Sequence, residues 1–257
     1  MIPMEGGGYT APGIEDFQFT GLFGTDWITK PMVQAVIAAI IVIVVWVVAA
    51  RRLRVVPTKG QYLMEQLYEF IRNSVGRDIL GPGFRPYLGL LVGLFTYLLL
   101  NNWFGEFFLF MFPTMSNIGY SWGAVVLVLF IYVWAGFRKH GIGYLRKTLI
   151  PQGVPWYLYP IIIPVEFLSA FVTRPLTLGV RLFANMFAGH LAVMVFVVGG
   201  SYLLTQADGI VLKVGGGFSL LFSLLFMGFE MFIGALQAYI FTILTAQYIS
   251  SSISESH

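Results

Sequence analysis

Ionisable side chains stand inside two long apolar stretches in the second half of this sequence. They are Glu166, Arg174, Arg181, His190 and Glu230, with the neutral polar residues Asn185 and Gln237 on the same stretches. A charged group at bilayer depth costs about 2.5 to 3.5 kcal/mol on insertion scales, so each one needs a partner or a water-filled cavity. Such residues typically mark ion or proton pathways. The chemistry they indicate is proton transfer across a membrane.

Arg181 is the most informative of these residues. Leu178, Val180 and Leu182 surround it in sequence, and no acidic residue lies nearby. Arginine stays protonated, so it cannot relay a proton and must act through its charge. A carboxylate about 4 Å away at an effective dielectric near 20 gains about 4 kcal/mol, enough to hold that carboxylate ionised. The alternative is a structural arginine paired with Glu166 or Glu230.

Helical spacing sorts the remaining polar residues into faces. Seven residues separate Arg174 from Arg181, about 20° short of two turns, and Asn185 lies about 40° further round, so the three share a face. His190 falls on the opposite side of that helix. Glu230 and Gln237 are seven residues apart on the last segment. We expect His190 and Glu230 to approach one another as proton-relay groups. The alternative for His190 is a histidine that only packs in the interior. The alternative for Arg174 is an anchor at the membrane interface.

The composition identifies lipid as the solvent around the elements that carry these residues. Of the 257 residues 58% are hydrophobic and 11% are charged, against about 25% charged in an ordinary globular chain. The absence of cysteine excludes disulfides, thiolate catalysis and cysteine-based metal sites. The net charge is +3, but the basic residues lie beside apolar segments and not along one soluble face, which argues against nucleic-acid binding.

The apolar pattern predicts an all-α membrane protein. We expect residues 1–31 to form an extracytoplasmic N-terminal segment and residues 32–257 a single polytopic membrane domain. Five membrane segments are predicted, with an amphipathic interfacial helix over 62–75; the segments cover 32–50, 86–112, 121–137, 160–198 and 208–248. At about 1.5 Å per residue the fourth would measure about 58 Å, so the last two are expected to form a long, strongly inclined helical hairpin, joined over 199–207.

The distribution of basic residues predicts the orientation. Arg51, Arg52 and Arg54 follow the first span, and Arg138 and Lys139 end the third. Cytoplasmic loops carry an excess of Lys and Arg. The N-terminus is therefore expected outside and the C-terminus in the cytoplasm.

Two stretches of sequence resemble one known family. Residues 174–190, RPLTLGVRLFANMFAGH, resemble the signature helix of subunit a of F-type ATP synthases, and residues 236–241, LQAYIF, resemble its partner on the final helix. Length and segment order agree as well, so the resemblance covers essentially the whole chain.

The resemblance implies a stator subunit of a proton-translocating ATP synthase in the bacterial plasma membrane, without catalytic residues, cofactor or metal of its own. Its implied partners are a ring of c subunits, the peripheral stalk b subunit, protons and the lipid bilayer. Arg181 would face the carboxylates of the ring. The outer half-channel would be lined by Asn185, His190, Glu230 and Gln237, and the cytoplasmic half-channel by Glu166 and Thr177. Glu166 stands one residue further from Pro175 than is typical of the family.

Two other functions remain open at this point. A proton-coupled secondary transporter predicts inverted repeats, and none is visible in the sequence. A non-conducting scaffold would tolerate an uncharged residue in place of Arg181. Sodium is an alternative to the proton as the ion. The run Gly215 to Gly217 lacks the lysine of a phosphate-binding loop and predicts a loop or a close helix contact.

Overall fold

The computed structural model describes residues 9–17, 21, 28–51, 53–107, 110–150 and 155–254. Within these ranges the chain is helical and contains no β-strand. The remainder of the predicted segment 1–31, Arg52 of the basic triplet and positions 108–109 of the predicted span 86–112 lie outside the described residues. The α-helices are α1 Lys30–Arg51, α2 Lys59–Ile71, α3 Asp78–Leu80, α4 Arg85–Trp103, α5 Ile118–His140, α6 Gly143–Leu149, α7 Tyr159–Leu168, α8 Arg174–Thr205 and α9 Ile210–Ile253.

Four helical stretches in the described chain are long and apolar enough to cross a membrane. They are Lys30–Arg51, Ile118–His140, Trp156–Thr205 and Ile210–Ile253. The chain is therefore an all-helical, multi-pass membrane protein. The predicted span 86–112 corresponds to α4, which has 19 residues and is not among the four, so the count of five segments stays a prediction.

Helix α4 contributes many residues to the hydrophobic core. Leu91 and Leu98 are fully buried, and the helix packs against α1, α2 and α9. It ends at Trp103, earlier than the sequence predicts, because the chain folds back on itself. A Cβ at Gly105 would lie only 2.9 Å from the ring of Pro113.

The last two helices form the predicted long hairpin. Helices α7 and α8, with the π-helical turn Ser169–Thr173 between them, belong to a helical run of 50 residues, about 75 Å at the α-helical rise. The predicted joint over 199–207 is wrong, since α8 continues to Thr205. Gly209, with φ of 109°, makes the turn, in a conformation that glycine adopts without strain.

Glycines bring the two arms of this hairpin together. A Cβ at Gly216 would lie 2.8 Å from the carbonyl oxygen of Gly200. Small residues let membrane helices approach at backbone distance. Of the two readings of Gly215 to Gly217, the close helix contact is the one found, because Gly216 lies within α9.

The predicted amphipathic helix is α2, followed by a π-helical turn at Arg72–Arg77. The Thr58 hydroxyl caps its N-terminus by accepting from the Gln61 backbone N–H at 3.3 Å. Ile71 is fully buried, and Phe70 packs on Tyr239 of α9 at 5.1 Å between ring centroids. One face of α2 therefore covers the α4 and α9 core.

Candidate functional site

Three ionisable side chains from distant parts of the chain meet beside the α8 and α9 hairpin. They are Glu106, after α4, His190 on α8 and Glu230 on α9. One side-chain atom from each residue, a carboxylate oxygen or an imidazole nitrogen, lies within 4.8 Å of the corresponding atoms of the other two. The expected approach of His190 to Glu230 across the hairpin is confirmed by this geometry.

Aromatic rings and a glycine shape the surroundings of this cluster. The His190 imidazole is nearly perpendicular to the rings of Phe17, at 6.1 Å between centroids, and Phe112, at 5.9 Å. A Cβ at Gly189 would lie 3.1 Å from the carboxyl carbon of Glu230. The absence of a side chain at Gly189 is what lets the Glu230 carboxyl group lie against α8.

Glu106 is a site residue that the sequence reasoning missed. Two hydrogen bonds fix the preceding end of α4 to α9: the Asn102 side-chain amide donates to the Gly234 carbonyl at 2.9 Å, and the Trp103 indole donates to the Met231 carbonyl at 3.0 Å. By fixing the end of α4 to α9, these bonds place the Glu106 side chain beside the Glu230 carboxyl group. A carboxylate within the predicted span 86–112 was the signal that could have identified it.

The cluster is largely buried, and several of its polar atoms have no hydrogen-bond partner among the described residues. His190 and Glu230 are 6% and 5% exposed. Within the described part of the chain, Nδ1 of His190 and both carboxylate oxygens of Glu230 have no hydrogen-bond partner. Two carboxylates this close repel each other when both are ionised. A shared proton or a single cation relieves that repulsion, so the arrangement is suited to holding one positive charge.

A second polar contact joins the same two helices. The Asn185 side-chain amide of α8 donates to the Gln237 side-chain oxygen of α9 at 2.8 Å. Asn185 is exposed on the chain surface, whereas Gln237 is 1% exposed. The pair therefore connects an open face of α8 to the interior of the hairpin.

Arg181 lies half-buried on α8, four residues before Asn185. Tyr248 of α9 is within electrostatic range of both Arg181 and Arg174. Among the described residues, Arg181 forms no salt bridge with Glu166 or Glu230. Glu230 lies instead in the cluster with Glu106 and His190.

Glu166 lies in a different polar cavity, of about 130 Å³. Arg174 lines the same cavity, which is also lined by Tyr144, Lys147, Thr148, Ser251 and Ser252. The Arg174 guanidinium carbon lies 5.7 Å from the centroid of the Tyr248 ring. Thr177 is exposed and not among the described residues that line this cavity; its hydroxyl donates to the Thr173 carbonyl at 2.8 Å.

The predicted site residues therefore form separate groups along the hairpin. Glu230 with His190, and then Gln237 with Asn185, succeed one another along α9. The Glu166 cavity is at the far end of α9, beside Ser251. Two of these groups lie near the middle of α9 and the third lies at its C-terminal end, so polar side chains are distributed along an otherwise apolar pair of helices.

Comparison with known proteins places the chain in a family. The model of the family described as ATP synthase A chain matches residues 32–250. A protein named ATP synthase subunit a from Nocardioides sp. is 42% identical, with 98% of this chain and 96% of the relative covered. Proteins of the same name from Pseudarthrobacter chlorophenolicus and Streptomyces lividans are 37% and 32% identical, each over 98% of this chain and over 97% and 91% of the relative. The chain belongs to the ATP synthase A chain family.

Proposed function

We propose that this chain is the stator subunit of a proton-translocating ATP synthase and provides two offset aqueous half-channels. A proton enters through the outer half-channel, is carried round on a carboxylate of a rotating c ring, and leaves through the inner one. Each proton that crosses 100 mV releases about 2.3 kcal/mol. Membership of the family supports a non-catalytic subunit of the membrane sector that serves ATP synthesis and proton transport, with catalysis in other subunits.

The observation that carries the proposal is the buried cluster of Glu106, His190 and Glu230. Polar atoms without protein partners at membrane depth bind water or exchange protons, because otherwise their burial is costly. In the proposed path the proton passes from this cluster to the Gln237 and Asn185 pair, which opens on the exposed face of α8. Glu166 and Thr177 belong to the inner half-channel.

Arg181 is proposed to face the ring carboxylates. Its guanidinium lies on the same helix as Asn185, one turn away, where the α8 surface is open to a partner. Arginine keeps its charge at any relevant pH, so it holds an approaching carboxylate ionised and blocks direct flow of protons between the half-channels.

The proposed setting is the bacterial plasma membrane, with the N-terminus outside and the C-terminus in the cytoplasm. Helices α1 and α5 both end in basic residues, at Arg51 and at Arg138 to His140, as the excess of positive charge on the cytoplasmic side requires. Residues 1–31 lie outside and residues 32–257 form one membrane domain, with α4 as a fifth membrane segment and the hairpin strongly inclined. The partners are the c ring, the peripheral stalk b subunit, protons and lipid.

Replacement of Arg181 tests this function. In reconstituted membranes carrying the whole complex, Arg181→Ala should abolish ATP-driven proton pumping while assembly with the c ring and the ATPase headpiece persists. Arg181→Lys should also lose most of the pumping, because an ammonium group lacks the planar, delocalised charge of guanidinium. Acidification at the wild-type rate by Arg181→Ala would contradict the proposal, and an uncharged residue tolerated here would favour a scaffold.

A further inference from the structure

The π-helical turn Ser169–Thr173 has a local cause and a specific partner. In this turn the Arg174 N–H donates to the Ser169 carbonyl, five residues back. The next bond of the series would run from residue 175 to the Ala170 carbonyl. Pro175 has no N–H to donate. The Tyr132 hydroxyl of α5 donates to the Ala170 carbonyl instead, at 2.7 Å.

This hydrogen bond is buried within the protein. Tyr132 and Ala170 are 2% and 1% exposed. A buried carbonyl without a donor is costly, and more so where no water can reach it. The Tyr132 hydroxyl therefore replaces the backbone donor that Pro175 lacks, and it stabilises the turn in its π-helical form.

The turn changes the direction in which Glu166 points. Eight residues separate Glu166 from Arg174, which in an unbroken α-helix would place them about 80° apart. A π-helical turn spans one more residue than an α-helical turn. The effective separation becomes seven residues, so the angle between Glu166 and Arg174 about the helix axis falls to about 20° and the two side chains share a face. The structure agrees, because both side chains line the same cavity.

We propose that the turn Ser169–Thr173, held by the Tyr132 hydroxyl, is the element that directs Glu166 into the cavity it shares with Arg174. Tyr132 is then a positioning residue for the inner half of the proton path, acting through Glu166 without contacting the proton. This inference rests on the proposed function for its effect on flux. The orientation of Glu166 can be measured independently of flux.

Cysteine cross-linking measures that orientation. The chain has no native cysteine, so Glu166→Cys and Ser251→Cys place a single pair in this subunit, both lining the cavity. A short bifunctional thiol reagent applied to membranes carrying the whole complex should join the pair. Adding Tyr132→Phe should lower the yield, because the ring remains but the hydroxyl does not. Tyr87→Phe is the control. It should leave the cross-link yield unchanged, since among the described residues the Tyr87 hydroxyl makes no hydrogen bond.

Changes in chain length within the turn provide a second test. Deletion of Val172 removes the extra residue and leaves Glu166 seven residues from Arg174, so the cross-link should persist. Insertion of one alanine after Phe171 turns Glu166 by about 100° and should abolish the cross-link. The opposite pattern, with the deletion losing the cross-link and the insertion retaining it, would overturn the proposal.

Flux measurements separate this inference from the proposed function. Tyr132→Phe should slow ATP-driven proton pumping about two- to tenfold, the range expected for one lost hydrogen bond, and should cause no further loss in a Glu166→Gln background. Slower pumping with an unchanged cross-link would contradict the positioning role. A reduced cross-link with pumping at the wild-type rate would support the positioning role and contradict the assignment of Glu166 to the proton path.

Discussion

At the scale of single residues, the polar groups of the hairpin form separate clusters along α9. Spacing at 100° per residue was enough to predict that His190 lies away from the Arg181 face, and its proximity to Glu230 is confirmed. Glu106 could not be placed in the same way, because its position depends on where α4 ends. That end is fixed by bonds from Asn102 and Trp103 to α9, which join residues about 130 positions apart.

The pair His190 and Glu230 is expected to act as a unit. Replacing either residue alone should slow proton entry from the outer side more than exit. The double exchange His190→Glu with Glu230→His should recover part of the loss, because coupling between contacting groups is typically about 0.5 to 3 kcal/mol. Pumping rates of the two single variants and the double variant measure it, and strictly additive losses would mean that the two residues act separately.

Glu106 is expected to belong to the same relay. Glu106→Gln keeps the shape of the side chain but cannot release a proton, so proton entry should slow, by up to about tenfold. The rate of ATP synthesis driven by an acid pulse on the outer side is the measurement. Glu69→Gln on the exposed side of α2 is the matched control and should leave the rate unchanged. Equal rates for Glu106→Gln and the control would remove Glu106 from the path.

At the scale of the elements, sequence predicted the existence of helices better than the places where they join. The 39-residue apolar stretch 160–198 correctly indicated an overlong helix. The sequence predicts a joint that begins at Gly199, but α8 continues through this residue to Thr205. In this hairpin Gly200 instead provides room for Gly216. The π-helical turn was also invisible in sequence, since it depends on a hydroxyl supplied by Tyr132 on another helix.

The contact between Gly200 and Gly216 is expected to hold the hairpin together. Gly216→Ala should destabilise it by about 1 to 3 kcal/mol, because the added methyl group would lie 2.8 Å from the Gly200 carbonyl oxygen and force the helices apart. Thermal unfolding of the purified subunit in detergent measures this. Gly217→Ala is the control, with no atom within 4 Å of the new Cβ. Equal melting temperatures for the two variants would contradict the close packing.

At the scale of the whole molecule, helices α1 and α5 both end in basic residues, and their starts lie close together. The Thr29 hydroxyl, just before α1, forms a hydrogen bond of 3.2 Å with the Tyr120 hydroxyl near the start of α5. Both helices therefore begin at the same side and reach their basic ends at the other. Composition was enough to predict a membrane protein with several helical spans. The number of spans stays a prediction, because α4, with 19 residues, is not among the described helices that are long and apolar enough to cross a membrane.

Labelling tests the orientation of the whole molecule. A membrane-impermeant thiol reagent should react in intact cells with Ala11→Cys, at an exposed position of the N-terminal segment, and not with Ser254→Cys, at the exposed end of α9. After the membrane is permeabilised, Ser254→Cys should react too. Reaction of Ser254→Cys alone in intact cells would reverse the assignment.

The contacts of Phe17 have a consequence for the order in which the protein is built. Phe17 packs on Phe187 at 4.5 Å between ring centroids and lies nearly perpendicular to the His190 ring at 6.1 Å. Ribosomes add about 5 to 20 residues per second, so Phe187 follows Phe17 by roughly 10 to 35 seconds. Phe17 has no partner on α8 during that interval, and Glu230 is synthesised later still. The His190 surroundings therefore cannot be completed during early synthesis, and a nascent chain that stops before α9 cannot form the cluster of Glu106, His190 and Glu230.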